Sequence, residues 1–183
     1  MHSYLELLCV CAIYDHNLQC RMIALKHFLI FCFFLLFKTT AVADDGTFVE
    51  KEHIIYDKKN AIEWLRCSVG QTWNGSTCTG KVINLTMDEV DYALKVAGKQ
   101  LGGNWRLPNK TELMSIVCKS CGVPKIDERI FPNTDNAPYW TNDKSFFDAN
   151  HLVSVSFHTG YSYNKFTKIK PLAVRLVRDP SRE

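Results

Sequence analysis

Net charge is scarce in this sequence: 22 Lys and Arg stand against 19 Asp and Glu, a formal +3 at pH 7. That excess is too small to point to nucleic acid, and the one basic stretch near the end is short. No HExxH zinc motif, Gly-x-Ser-x-Gly elbow or phosphate-binding loop is present, so the common signatures of metalloprotease, serine hydrolase and nucleotide chemistry are missing. No collagen-like repeat or heptad sets an oligomer, and the oligomeric state stays open. The apolar run Phe28 to Phe37 falls well short of the roughly 20 residues that a membrane span needs. Aromatic residues make up 12% of the chain, which argues against disorder.

That short run sits in a telling order. A basic start at Met22 with Lys26 and His27 precedes it, and Ala41-Val42-Ala43 followed by Asp44-Asp45 comes after it. Basic, apolar, then small-x-small is the layout of a secretory signal peptide, because the peptidase pocket admits only small side chains beside the cut. The expected organisation is an over-extended start at 1–21, a signal peptide at 22–43, and one domain at 44–183. The chain is expected to be exported, with no membrane span in its mature part.

Export changes the cysteine reading. Of eight cysteines, Cys9, Cys11, Cys20 and Cys32 fall in the removed part, and Cys67, Cys78, Cys118 and Cys121 remain. An even number in an oxidising compartment reads as disulfides. Four cysteines allow three pairings; the local ones, Cys67 with Cys78 and Cys118 with Cys121, are expected. The Cys118-Lys119-Ser120-Cys121 spacing invites a redox reading, but Cys118 closes an expected helix, where the dipole opposes a thiolate. Uneven spacing in an exported chain argues against zinc.

Along the domain, His53–Tyr56 and Ala61–Leu65 flank a turn at Asp57–Asn60 and predict a hairpin. Thr86 and Glu89 form a capping-box pattern, and Val90, Leu94, Ala97 and Leu101 then keep helical spacing until Gly102-Gly103. Asn109 and Glu112 repeat the pattern for a second helix, with Leu113, Ile116 and Val117 inward. From Tyr139 the pattern is β: Leu152 to Phe157, a turn at His158-Thr159-Gly160, Tyr161 to Phe166, and a last strand Leu172 to Val177. The last strand is expected to share a sheet with the opening hairpin. This is an α+β domain, two helices between antiparallel groups, stapled by disulfides.

Trp105-Arg106-Leu107-Pro108-Asn109-Lys110-Thr111-Glu112-Leu113 resembles the C-terminal domain family of the Legionella collagen-like adhesin. Asp57 through Trp64, Phe131-Pro132-Asn133-Thr134, Tyr139-Trp140-Thr141 and Val174-Arg175-Leu176-Val177-Arg178 match it in the same order. Asn60-Ala61 departs from it, where the family usually has a Thr-Gly turn. The resemblance implies a C-type-lectin-like fold, shared with the formylglycine-generating enzyme superfamily, and an association with sulfated glycans on host surfaces. Trp105, Arg106, Leu107, Pro108 and Glu112 are read as scaffold: Pro108 holds Leu107 extended ahead of the helix, and Arg106 is expected to stack beside Trp105.

The expected function is a non-enzymatic exported binding module whose partner is a glycan or a cell-surface protein. Trp140, Tyr161 and Tyr163 are the candidate sugar-stacking groups. Lys165, Lys168 and Lys170, with Arg175 and Arg178 nearby, are the candidate anion-binding groups, and Lys168 and Lys170 would share a face in extended chain. No cofactor is required by any motif. Asn142 and Asp143 supply oxygen ligands that leave calcium open. His151 and His158 flank one strand on opposite faces and do not suggest a joint metal site. Two alternatives stand beside this reading: a formylglycine-generating-type enzyme with an altered site, although no cysteine follows Cys121, and an envelope structural protein without a small ligand.

Overall fold

Asp57 organises the first hairpin. One of its carboxylate oxygens accepts from the backbone N–H of Lys59 and Asn60, both at 3.0 Å, and the other from the Asn60 side chain at 2.7 Å. This is the local bonding that favours Asp in turns. The turn then places Ala61 at φ 52°, in the left-handed region. Ala61 occupies the position where the resembled family usually has glycine, and a Cβ there costs about 1 kcal/mol. Ala61→Gly is therefore expected to raise stability by about 0.5–1 kcal/mol, read as a higher urea midpoint.

The computed structural model describes residues 46–146, 148 and 150–180. The expected signal peptide and the residues before it lie outside the described residues. The hairpin strands β2 (Ile54–Asp57) and β3 (Ile62–Leu65) are joined by β1 (Phe48–Lys51) on one side and β9 (Val177–Arg178) on the other, in the order β1-β2-β3-β9, with antiparallel neighbours. The opening hairpin and the closing segment thus share a sheet, as expected. The closing strand is shorter than Leu172–Val177, because that segment divides its bonds among several neighbours. Leu172 pairs with Leu85, Ala173 with Tyr139, and Val177 with Arg106.

The Cys67–Cys78 disulfide closes a loop that holds a small hairpin, β4 (Gln71–Trp73) with β5 (Cys78–Gly80). Helix α1 (Met87–Leu101) begins where the Glu89 carboxylate accepts from the Thr86 N–H and hydroxyl, both at 2.8 Å, which hold that carboxyl below its usual range. Helix α2 (Lys110–Ser115) has the full reciprocal box. The Glu112 N–H donates to the Asn109 side chain at 2.8 Å, and the Asn109 N–H to the Glu112 carboxylate at 2.7 Å. Helix α2 ends before Ile116, which is buried nonetheless. Cys118 therefore lies beyond the helix, bonded to Cys121.

The third sheet is β6 (Pro138–Lys144), β7 (His151–Ser156) and β8 (Tyr161–Thr167), antiparallel, with β8 at its edge. Two clusters fill the interior. Ile55, Trp64, Leu113, Phe131, Tyr139 and Phe157 form one; Val90, Ala97, Trp105, Leu107, Trp140 and Val174 form the other. Among the described residues the fold is α+β, two helices among antiparallel sheets, with disulfides.

Candidate functional site

Strand β8 reads Tyr-Ser-Tyr-Asn-Lys-Phe-Thr, and its alternation sets the candidate surface. Tyr161 lies opposite Ser156, and Tyr163 opposite Ser154, so the two rings share a face over two serines. Tyr161 is 62% exposed. Tyr163 is half-buried, and its hydroxyl bonds the Thr159 hydroxyl at 3.0 Å.

The register shifts between Leu152 and Ser154 of β7, where β8 carries one more residue than its partner. Such a bulge redirects the side chains that follow it. Here it sets the Lys165 ammonium 4.9 Å from the Tyr163 ring centroid and 5.4 Å from that of Phe166. A cation over two rings is held in place while it stays accessible to an anion. Lys165 is exposed.

Lys168 and Lys170 are exposed but do not share a face of an extended chain. They lie in a turn closed by the Lys170 N–H donating to the Thr167 carbonyl at 2.9 Å. The Met87 N–H donates to the Lys168 carbonyl, also at 2.9 Å, which fixes the turn against the start of α1. Ile169 projects between them, 81% exposed. Tyr161, Tyr163 and Lys165 therefore form one continuous edge, and Lys168 and Lys170 extend it along the chain.

The structure removes other residues from that surface. Trp140 has no exposed area: its ring lies in the second core cluster and its Nε1–H donates to the Leu85 carbonyl at 2.8 Å, so it is core and cannot stack on a ligand. Arg175, expected in the basic patch, is wholly buried. Arg178 is engaged with Glu63 at 2.7 Å, and its guanidinium lies 4.7 Å over Trp105. Arg178, not Arg106, therefore stacks on that indole. Arg106 instead makes a bidentate pair with Glu112, both bonds at 2.9 Å, and reaches Asp179 at 3.0 Å. Glu112 chiefly, then Asp179, raises the Arg106 guanidinium above its ordinary value, against the opposing effect of burial. This locks the strand–turn–helix that Trp105, Leu107 and Pro108 bury, which fits a scaffold role.

Asp143 accepts from the Lys110 N–H at 2.5 Å at the start of α2, and Asn142 is exposed with its N–H on the Pro108 carbonyl. Among the described residues no group of three or more His, Cys, Asp or Glu is placed to hold a metal ion. His151 and His158 have separate partners: His151 meets Asp148 at 2.8 Å, and His158 meets Asn136 at 2.7 Å.

Sequence reasoning missed Phe166, which shares Lys165 with Tyr163; only the bulge brings it there. It also missed a cleft of about 790 Å³ between α1 and the disulfide loop, lined by Trp73, Ile83, Tyr92, Val96 and Leu101 among others. An aromatic within a cysteine-bounded loop was the available signal for it. Trp73 is held by the Arg66 guanidinium, 4.3 Å from its ring.

Among the described residues no helix is long and apolar enough to cross a membrane. A family model described as the Lcl C-terminal domain matches residues 53–178, which span every strand and helix above except β1. No curated protein and no solved structure matches the chain.

Proposed function

The chain belongs to the Lcl C-terminal domain family, and from that adhesin-like membership we propose that it works outside the cytoplasm, binding sulfated glycans through the β8 edge. The observation that carries this reading is the Lys165 ammonium seated over Tyr163 and Phe166 on an exposed edge, with Lys168 and Lys170 on the turn that follows. A sulfated sugar offers a ring face for Tyr161 and anionic oxygens for the three ammonium groups. Cations presented on a sheet edge also discourage edge-to-edge pairing with another chain, which keeps the surface open for a ligand.

The test is retention of the purified chain, expressed from its full sequence, on immobilised heparin over a salt series. An uncharged glycan set and a chelator arm run beside it. Lys165→Ala with Lys168→Ala and Lys170→Ala is expected to weaken heparin binding about 100-fold, at about 1 kcal/mol for each ammonium group removed. Retention should also fall as salt rises. Retention unchanged in the triple variant would sink the assignment. Binding to neutral sugars that disappears with chelation would move the site to the region of Asn142 and Asp143, with calcium as its cofactor.

A further inference from the structure

The two disulfides differ in their surroundings. Cys67 and Cys78 are buried, 3% and 1% exposed. Cys118 and Cys121 are half-buried in a surface turn, with Lys119, Ser120, Gly122 and Val123 exposed around them. Helix α2 ends at Ser115, the chain leaves it at Ile116, and the Cys118 N–H donates to the Lys125 carbonyl at 3.0 Å. Cys118 thus does not sit in the closing turn of a helix, where the dipole would oppose a thiolate.

Two groups favour a thiolate there. The Ser120 hydroxyl lies 3.6 Å from the Cys118 sulfur. A disulfide sulfur carries no proton, so the hydroxyl is the donor of that pair. The Lys125 ammonium donates to the carbonyls of Cys121, at 2.7 Å, and Lys119, at 3.4 Å, which seats a cation on the four-residue ring. Among the described residues Lys125 takes part in no ion pair. A neighbouring ammonium and a hydroxyl donor both stabilise a sulfur anion. The turn also has bonds that do not depend on its disulfide. The Val117–Ile126 bridge, the Cys118 N–H on the Lys125 carbonyl and the Lys125 N–H on the Phe157 carbonyl, at 2.6 Å, are all backbone contacts.

We propose that Cys118–Cys121 is a thiol–disulfide exchange site that takes electrons from a dithiol, while Cys67–Cys78 remains a structural staple. One thiolate of the dithiol attacks the Cys121 sulfur and forms a mixed disulfide. The Cys118–Cys121 bond breaks, and Cys118 leaves as the thiolate that Ser120 and Lys125 stabilise. The second sulfur of the dithiol then attacks the first, releases Cys121 and closes its own disulfide. The dithiol is oxidised by two electrons, and its two protons pass to Cys118 and Cys121. The site shares no residue with the β8 edge and does not depend on it.

The test uses the oxidised chain expressed from its full sequence, without denaturant. Graded dithiothreitol is followed by N-ethylmaleimide, and peptide mass spectrometry locates the label. Cys118 and Cys121 are expected to be labelled at a dithiothreitol concentration at least about 10-fold below that which labels Cys67 and Cys78. The two bridges span sequence separations of 3 and 11. Chain entropy alone makes the shorter one about 5-fold easier to open, and burial protects the longer one further. Circular dichroism is expected to be unchanged at the first concentration. Ser120→Ala should slow labelling of the Cys118 pair about 2–10-fold, and Ser120→Thr should keep the parent rate. Neither should alter labelling of Cys67 and Cys78. Both disulfides opening together, Cys67–Cys78 opening first, or opening of the Cys118 pair only with loss of the fold would each overturn the proposal. A Ser120→Ala rate equal to the parent's would overturn Cys118 as the leaving sulfur.

Discussion

Arg175→Ala is expected to destabilise the domain by about 3–5 kcal/mol, measured as a lower urea midpoint at unchanged slope. Arg175 is wholly buried, yet no carboxylate among the described residues pairs with it. Its guanidinium donates instead to neutral oxygens: the carbonyls of Leu65, at 3.2 Å, and Arg66, and the hydroxyls of Ser68, at 3.1 Å, and Thr134, at 2.7 Å. It also lies 4.9 Å over the Phe131 ring. Burial pulls its pKa down to about 10, so the charge costs the fold something and the bonds must offset it. Alanine leaves both a cavity and unpaired acceptors. Arg175→Met keeps most of the volume, relieves the buried charge and takes the same donors away, while the Ser68 and Thr134 hydroxyls keep their bonds to Tyr139 and Phe131, and it should cost about 1–3 kcal/mol. Equal losses in the two variants would mean that volume contributes nothing. A loss below about 1 kcal/mol in the alanine variant would show that the hydrogen bonds do not outweigh desolvation.

Trp140→Ala should cost about 3–5 kcal/mol as well, the usual range for a large aromatic removed from a packed core. Trp140 has no exposed area and packs with Trp105, Leu107, Leu152 and Val174, and loss of its indole N–H would leave the Leu85 carbonyl with the Leu172 N–H as its remaining donor. The informative part is what should not change. Protein that remains folded at low temperature is expected to elute from heparin at the same salt as the parent. A thermal melt and a heparin column, run on one preparation, separate the two effects. A large loss of retention with a small loss of stability would return Trp140 to the ligand surface.

Trp140 also shows where sequence alone misleads. An aromatic in a β-run beside polar residues reads equally as a stacking platform or as core, because alternation tells which residues share a face and not which face is covered. Arg175 failed for the same reason: a cation among apolar neighbours reads as a surface patch until the oxygens that surround it are known. The helix starts were legible, since Thr86 with Glu89 and Asn109 with Glu112 are local chemistry. The Asp57 turn and the two local disulfides were legible on the same ground. The strands β1, β4 and β5 were not, because Phe-Val-Glu-Lys does not alternate and the other two are only three residues each. The turn at Lys168–Lys170 was read as extended because nothing in its own sequence announces the bond from Met87 that shapes it. The Tyr161–Tyr163 pairing followed from period-two spacing, while the position of Lys165 depends on a bulge that only the partner strand can specify.

The fixed turn between β8 and the closing segment has a mechanical consequence. From Tyr161 to Lys170 the chain carries the proposed binding edge, and from Leu172 to Arg178 it is bonded in succession to Leu85, to Pro138 and Trp140, and to Val69, Leu65 and Arg106. A pull on a glycan at the edge, resisted at Asp179, would run along this one stretch of backbone. Hydrogen bonds to several separate elements would share the tension. The opening hairpin's turn and the Cys118–Cys121 loop stand to the side of that path, while the Val69 N–H ties the Cys67–Cys78 loop into it, and the disulfide keeps that loop closed under load.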